Sequence, residues 1–132
     1  MRIARLAETI GALKALMGGC EVAIDGKDVH LHGFAGRPKP VQKPHPPIMI
    51  GGGGRRVLSL AGREAQIVSF NFNNRAGVIG PDGIKNSTAD ETARKVAWVR
   101  EAAGARFASL ELEIGAYFTF VTDQPKGVVG GM

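Results

Sequence analysis

The run Gly51-Gly52-Gly53-Gly54-Arg55-Arg56 is the stretch of this chain best suited to holding an anion. It follows the apolar Ile48-Met49-Ile50 and precedes a helical pattern, RRVLSLAGREA. At a helix N-terminus the first N–H groups lack partners and the helix dipole is positive. Glycine lets a ligand approach the backbone with no Cβ in the way. Gly51, Gly52, Gly53 and Gly54 with Arg55 are therefore candidate phosphate-binding residues. The same residues would also serve a tight strand-to-helix turn with no ligand. A Walker P-loop would need Gly-Lys-Ser/Thr where Arg55-Arg56 stand. The dinucleotide fingerprint would need glycine at 56 or 57, where Arg56 and Val57 stand.

Other reactive side chains form no catalytic constellation. His30 and His32 alternate on one strand face beside Asp28, which falls short of a metal set. Glu111 and Glu113 share a strand face and are read as solvated rather than as an acid–base pair. His45 lies between prolines, and Trp98 is read as packing at a helix edge. The single cysteine, Cys20, excludes an internal disulfide and suits a cytoplasmic protein. No residue is assigned a catalytic role, and no metal is expected.

Certain elements must position these residues. Ile3, Leu6, Ile10, Leu13 and Met17 form one helical stripe ended by Gly18-Gly19. EVAI and KDVHLHG flank Asp25-Gly26, a hairpin signal. Residues 35–47 hold five of the seven prolines and read as an extended connector. QIVSF is a further apolar strand, expected like Ile48–Ile50 to be buried on both faces. The long loop that follows, NFNNRAGVIGPDGIKNS, reads as functional. Thr88 and Glu91 make a capping box for a helix carrying Val96, Val99 and Ala103, closed by Gly104. LELEIGAYFTFV is the last strand. Strand–helix alternation without hairpins implies parallel pairing.

The chain of 132 residues carries a net charge of +5, which admits a phosphate-bearing cofactor, an acidic substrate or nucleic acid. The basic residues are scattered and aromatics are only 6%, which disfavours nucleic acid. No apolar run approaches a membrane span. The amphipathic N-terminal stretch reads as a surface helix rather than a targeting segment. Residues 1–132 are expected to form a single α/β domain with a sheet too small to close on itself.

Several pieces together resemble the luciferase-like monooxygenase family, most closely its coenzyme F-420-dependent oxidoreductase branch. They are RIARLAETIGALKALMGG, KPVQKPHPPIMIGGGG, RRVLSLAGREA and DETARKVAWVREAAGARF with LELEI, within residues 2–123. The resemblance implies a partial TIM-type (β/α)8 barrel: the C-terminal half, with parallel strands, crossover helices and a short β-hairpin insertion. It implies that the glycine turn lies at a strand C-terminal end against the cofactor phosphate, and that Asn71 and Asn73 could reach cofactor or substrate. The cofactor would be coenzyme F-420, with FMN as the alternative. The activity would be hydride transfer or monooxygenation of a small organic substrate. Catalytic residues would belong to the front of the barrel, so the chain by itself is expected to be inactive. Its partners would be that front half or a second copy of the chain. The family's Ala-Asp after the glycine helix is Ala65-Gln66 here, which is expected to weaken a loop or capping bond. The alternative is a non-catalytic barrel remnant that self-associates and binds a phosphorylated ligand or none.

Overall fold

The computed structural model describes residues 2–19, 21–73, 88–115 and 121–123. Helix α1 (Arg2–Met17) leads into an antiparallel hairpin, β1 (Val22–Asp25) and β2 (His30–Phe34). After the proline strap come β3 (Met49–Gly52), α2 (Arg55–Glu64), β4 (Ile67–Phe70), α3 (Ala89–Ala103), a 3-10 turn (Gly104–Ser109) and β5 (Glu111–Ile114). The last three strands form one parallel sheet in the order β3-β4-β5. This mixed α/β arrangement is compatible with part of a (β/α)8 barrel. Cys20 and residues 74–87, most of the long loop, lie outside the described residues, as do residues 116–120 of the expected last strand.

The strand register defines two faces. Ile50, Val68 and Leu112 share one level, and Gly52, Phe70 and Ile114 another. This face meets the helices, because Ile50, Val68 and Phe70 are buried with Leu58, Leu60, Ala61 and Val99. Leu58, Val68 and Val99 are wholly buried, and each contributes about 1.5–3 kcal/mol by leaving water. On the opposite face stand Met49, Ile67 and Glu111, then Gly51, Ser69 and Glu113. Burial on both faces thus fails for β3, since Met49 is 54% exposed. At the β5 side, Leu112 and Ile114 are exposed as well.

Local contacts tie the layers together. An added Cβ at Gly62 would stand 2.8 Å from the Val99 carbonyl oxygen, so α2 and α3 touch backbone to backbone there. Arg106 donates to the Gly62 and Ala65 carbonyls, the second at 2.6 Å. These are the carbonyls that the end of α2 leaves without helical partners. Arg100 lies over the Phe107 ring, 4.5 Å from its centre. Lys14 of α1 reaches the other end residue of α2, bonding the Glu64 carbonyl at 2.8 Å and its carboxylate at 2.7 Å. Thr88 caps α3 by accepting from the Glu91 N–H at 3.3 Å, and Gly104 closes the helix at φ +55°. The capping half on Thr88 is as expected, while the Glu91 carboxylate pairs with Arg94.

Four expectations need correction. Leu13 is 47% exposed, so the buried stripe of α1 runs through Ile3, Leu6 and Ile10 instead. The hairpin forms, but Gly26 is not among the glycines with positive φ. Its N–H donates to the Val29 carbonyl at 2.9 Å, making a wider loop than Asp-Gly alone implies. Glu8 of α1 determines that loop by accepting from Asp28 N–H at 2.8 Å and Val29 N–H at 3.2 Å. Strand β3 runs into the glycines, because Gly51 and Gly52 pair with Ser69 and Phe70. Gln66, expected to weaken a bond as the replacement for an Asp, makes one: its Oε1 accepts from Ile48 N–H at 3.0 Å.

The bonds from Asp28, first, and from Val29 hold the Glu8 carboxyl below its ordinary value of 4.5. A carboxyl whose folded pKa is depressed stabilises above its unfolded pKa and loses that contribution as pH falls through the folded value. Hydrogen exchange at the Asp28 and Val29 amides should therefore accelerate as pH drops below about 4.5 relative to exchange at core amides. Glu8→Gln should show the faster exchange already at neutral pH. Separately, Leu58→Ala should cost about 2–5 kcal/mol in urea unfolding, whereas Leu13→Ala should change stability by about 0.5 kcal/mol or less.

Candidate functional site

Strands β3 and β4 end side by side. The Asn71 N–H continues the ladder by donating to the Gly52 carbonyl at 2.9 Å. An added Cβ at Gly51 would lie 2.8 Å from the Asn71 side-chain nitrogen. The fold thus gathers Gly51, Gly52, Gly53, Gly54 and Asn71 at one C-terminal sheet end. In closed barrels of parallel strands that end carries the chemistry.

The glycines are required there for internal reasons. No glycine of the tetrad has positive φ. An added Cβ at Gly52 would fall 2.3 Å from Val57 Cγ1, inside the first turn of α2. One at Gly53 would fall 2.2 Å from the Phe72 carbonyl oxygen and 2.6 Å from the Asn73 nitrogen. The backbones of the β3–α2 turn and of the segment after β4 therefore touch directly. Gly54 differs: a Cβ there would meet only Asn73 Oδ1, at 3.8 Å, an ordinary contact.

Gly54 is also the N-cap of α2, with φ −104° and ψ 152° and no side-chain capping bond. The first turn of α2 contains no acidic residue. Among the described residues, the helix N-terminus thus has neither a capping bond from its N-cap side chain nor an acid in its own first turn, and such an end favours an anion. Arg55 leans away from it, to Glu101 of α3 at 3.1 Å. Both side chains are more than half exposed (60% and 68%), so the pair is weak and readily exchanged. Arg56 is exposed.

One charged residue was not anticipated as part of this region. Lys95 of α3 is only 4% exposed, and its Nζ donates to the Asn71 carbonyl at 3.0 Å. Desolvation lowers its pKa, opposed by the charge of Glu91. The sequence held a signal for this placement. Lys95 lies four residues before the wholly buried Val99, on the same helix face.

The remaining candidates lie elsewhere. His30 and His32 are exposed on the hairpin, His30 Nδ1 being 2.7 Å from Asp25 Oδ1. His45 Nδ1 is 2.8 Å from the Pro46 carbonyl, and Trp98 packs against the core. Glu111 and Glu113 face away from the helices, level with Ile67 and Ser69. Among the described residues no group of His, Cys, Asp and Glu could hold a metal ion, and no helix is long and apolar enough to cross a membrane.

Fold and site together define a mixed α/β protein with a glycine turn and a helix N-terminus at the C-terminal end of a parallel sheet. The model of the luciferase-like monooxygenase family matches residues 1–126, and the chain belongs to that family. No curated protein matches the chain. Family membership places the chain among oxidoreductases that generally work with a flavin or with coenzyme F-420.

The two central glycine roles separate by substitution. Gly53→Ala should destabilise by about 1–3 kcal/mol, since the turn must move off the Phe72 carbonyl. Gly54→Ala should cost less, about 0.5–1 kcal/mol from the poorer N-cap, because its Cβ meets open space and one ordinary contact.

Proposed function

We propose that this chain supplies the cofactor-phosphate side of an oxidoreductase site. In this reading it forms the C-terminal part of a luciferase-like barrel, spanning residues 1–132 as one domain with residues 35–47 as connector. Gly51, Gly52, Gly53 and Gly54 line the phosphate end and Arg55 adds positive charge after leaving Glu101. The Asn71 amide, beside Gly51, is the side-chain donor. The cofactor is coenzyme F-420, with FMN as the alternative. When bound, it supplies the hydride transfer or the oxygen chemistry for a small organic substrate. The chain's own residues bind and orient it. Neither nucleic acid nor a membrane is a partner, and the protein is cytoplasmic.

The observation that carries this reading is the α2 N-terminus. Its N-cap, Gly54, makes no side-chain capping bond, its first turn holds no acid, and it stands at the C-terminal ends of β3 and β4. Gly54 leaves room at that point for a group to approach. A phosphate fits this set of donors and charges; a cation does not.

A second reading has its own support. Met49, Leu112 and Ile114 are exposed, and β3 and β5 stand at the two ends of the parallel sheet. Such edges favour pairing with further strands. Those strands come from the front of the barrel or from a second copy of the chain, and in the latter case the protein is a non-catalytic remnant. A stable oligomer by light scattering without cofactor binding would favour the remnant.

Fluorescence titration with F-420, and with FMN in parallel, tests the cofactor reading. Saturable binding supports it, and a folded chain that binds neither overturns it. Gly54→Asp sharpens the test. Aspartate at an N-cap is at least as good as glycine, by a few tenths of a kcal/mol, yet it places a negative charge at the phosphate position. Thermal stability should hold or rise while cofactor affinity falls by about ten-fold or more.

A further inference from the structure

We propose that the outer edge of β5 docks a strand carrying lysine or arginine at alternate positions, and that this strand does not come from a second copy of the chain. The inference goes beyond the readings above. It names the charge of what covers β5, and it holds whether or not a cofactor binds.

β5 is the last strand of the parallel sheet, and among the described residues no further strand pairs with its outer edge. Alternation along Glu111–Ile114 gives that edge two unlike faces. Leu112 and Ile114 are level with the buried Val68 and Phe70, on the face that meets the helices. They are nevertheless 41% and 58% exposed. Glu111 and Glu113 lie on the opposite face, level with Ile67 and Ser69 of β4. Met49 and Gly51 of β3 stand at the same two levels, so no basic residue shares them. Among the described residues neither carboxylate takes part in an ion pair or a hydrogen bond.

Charged side chains on an edge strand ordinarily keep like strands from pairing there. An edge that stays in water is polar on both faces, and β5 is not. Covering Leu112 and Ile114 removes apolar surface from water. The same covering strand takes water from Glu111 and Glu113, which is costly unless the carboxylates gain partners. Opposite charges directly across a strand pair are favourable and like charges are not. The strand that fits β5 therefore has cations on the glutamate face and apolar residues on the other. A second copy has no such strand. The chain holds 17 Lys and Arg, yet none lies on the five described strands, VAID, HLHGF, MIGG, IVSF and ELEI. Antiparallel pairing of β5 with its own copy would gather glutamates on one face, and β3 offers only Met49 and Gly51 there. The hairpin strand β2 offers His30 and His32, and His30 is engaged with Asp25 at 2.7 Å.

The test titrates the chain with short synthetic peptides that alternate valine with lysine, with threonine or with glutamate. Its mass is followed by sedimentation at neutral pH. The lysine peptide should bind saturably and move the amide resonances of Glu111–Ile114. The threonine peptide should bind on the order of ten-fold more weakly, and the glutamate peptide more weakly still. The net charge of +5 works against the lysine peptide, so a preference for it reports the local carboxylates. The double substitution Glu111→Lys with Glu113→Lys should reverse the order, so that the glutamate peptide binds best. Equal binding of the three peptides, or binding of none, overturns the proposal. A dimer at neutral pH whose β5 amides are protected from hydrogen exchange overturns it too. If the doubly substituted chain does not fold by circular dichroism, the three peptides on the unmodified chain decide alone. None of these outcomes bears on the cofactor reading, which the F-420 and FMN titrations test separately.

Discussion

No side chain fits between the β3–α2 turn and the backbone that leaves β4. A Cβ on Gly53 would overlap the Phe72 carbonyl, and one on Gly52 would overlap Val57. Glycine is the most costly residue to order on folding, and consecutive glycines compound the cost. Gly53 is needed so that two chain segments can lie in direct contact, and Gly52 so that the first turn of α2 can fold back against the end of β3. Once they do, α2 starts immediately over the sheet, and its N-terminus opens at the ends of β3 and β4. The position of the candidate site is thus a consequence of close packing, whatever ligand it holds.

The rest of the domain extends that contact. β4 is the central strand, hydrogen-bonded to β3 and β5 on its two sides. Its Val68 and Phe70 are buried with Leu58 and Leu60 of α2 and with Val99 of α3. Gly62 lets α3 approach α2 to backbone contact, and Arg106 then takes up the carbonyls at the end of α2. Lys95 and Asn71 join α3 to the end of β4. Helix α1 and the hairpin attach from outside through Lys14 to Glu64 and through Glu8 to the hairpin loop. Membership of the luciferase-like monooxygenase family accords with this order of elements.

What could be read in the sequence was local. The apolar period of α2, the Thr88 cap, the Gly104 closure and the strands around Ile50 and Val68 each depend on neighbours within a few residues. What could not be read depends on distant partners. Phe72 lies far along the chain from Gly53, so the reason for that glycine is invisible until the strands pair. The Asp25-Gly26 loop is governed by Glu8 from a preceding helix. Lys95 was overlooked because a charge on an amphipathic helix is ordinarily assigned to water, although its spacing from Val99 places it inward. The sequence pointed to Gly51–Gly54, Arg55 and Asn71, and the fold brings the glycines and Asn71 to one sheet end. It turns Arg55 toward Glu101 instead.

The most direct measurement is the amide NMR spectrum of the 15N-labelled chain titrated with coenzyme F-420. The account predicts the largest saturable shifts at Gly54, Arg55, Arg56 and Val57, the start of α2, with smaller ones at Asn71. Saturable shifts centred on the hairpin or on the outer face of α3, with the first turn of α2 unmoved, would contradict it.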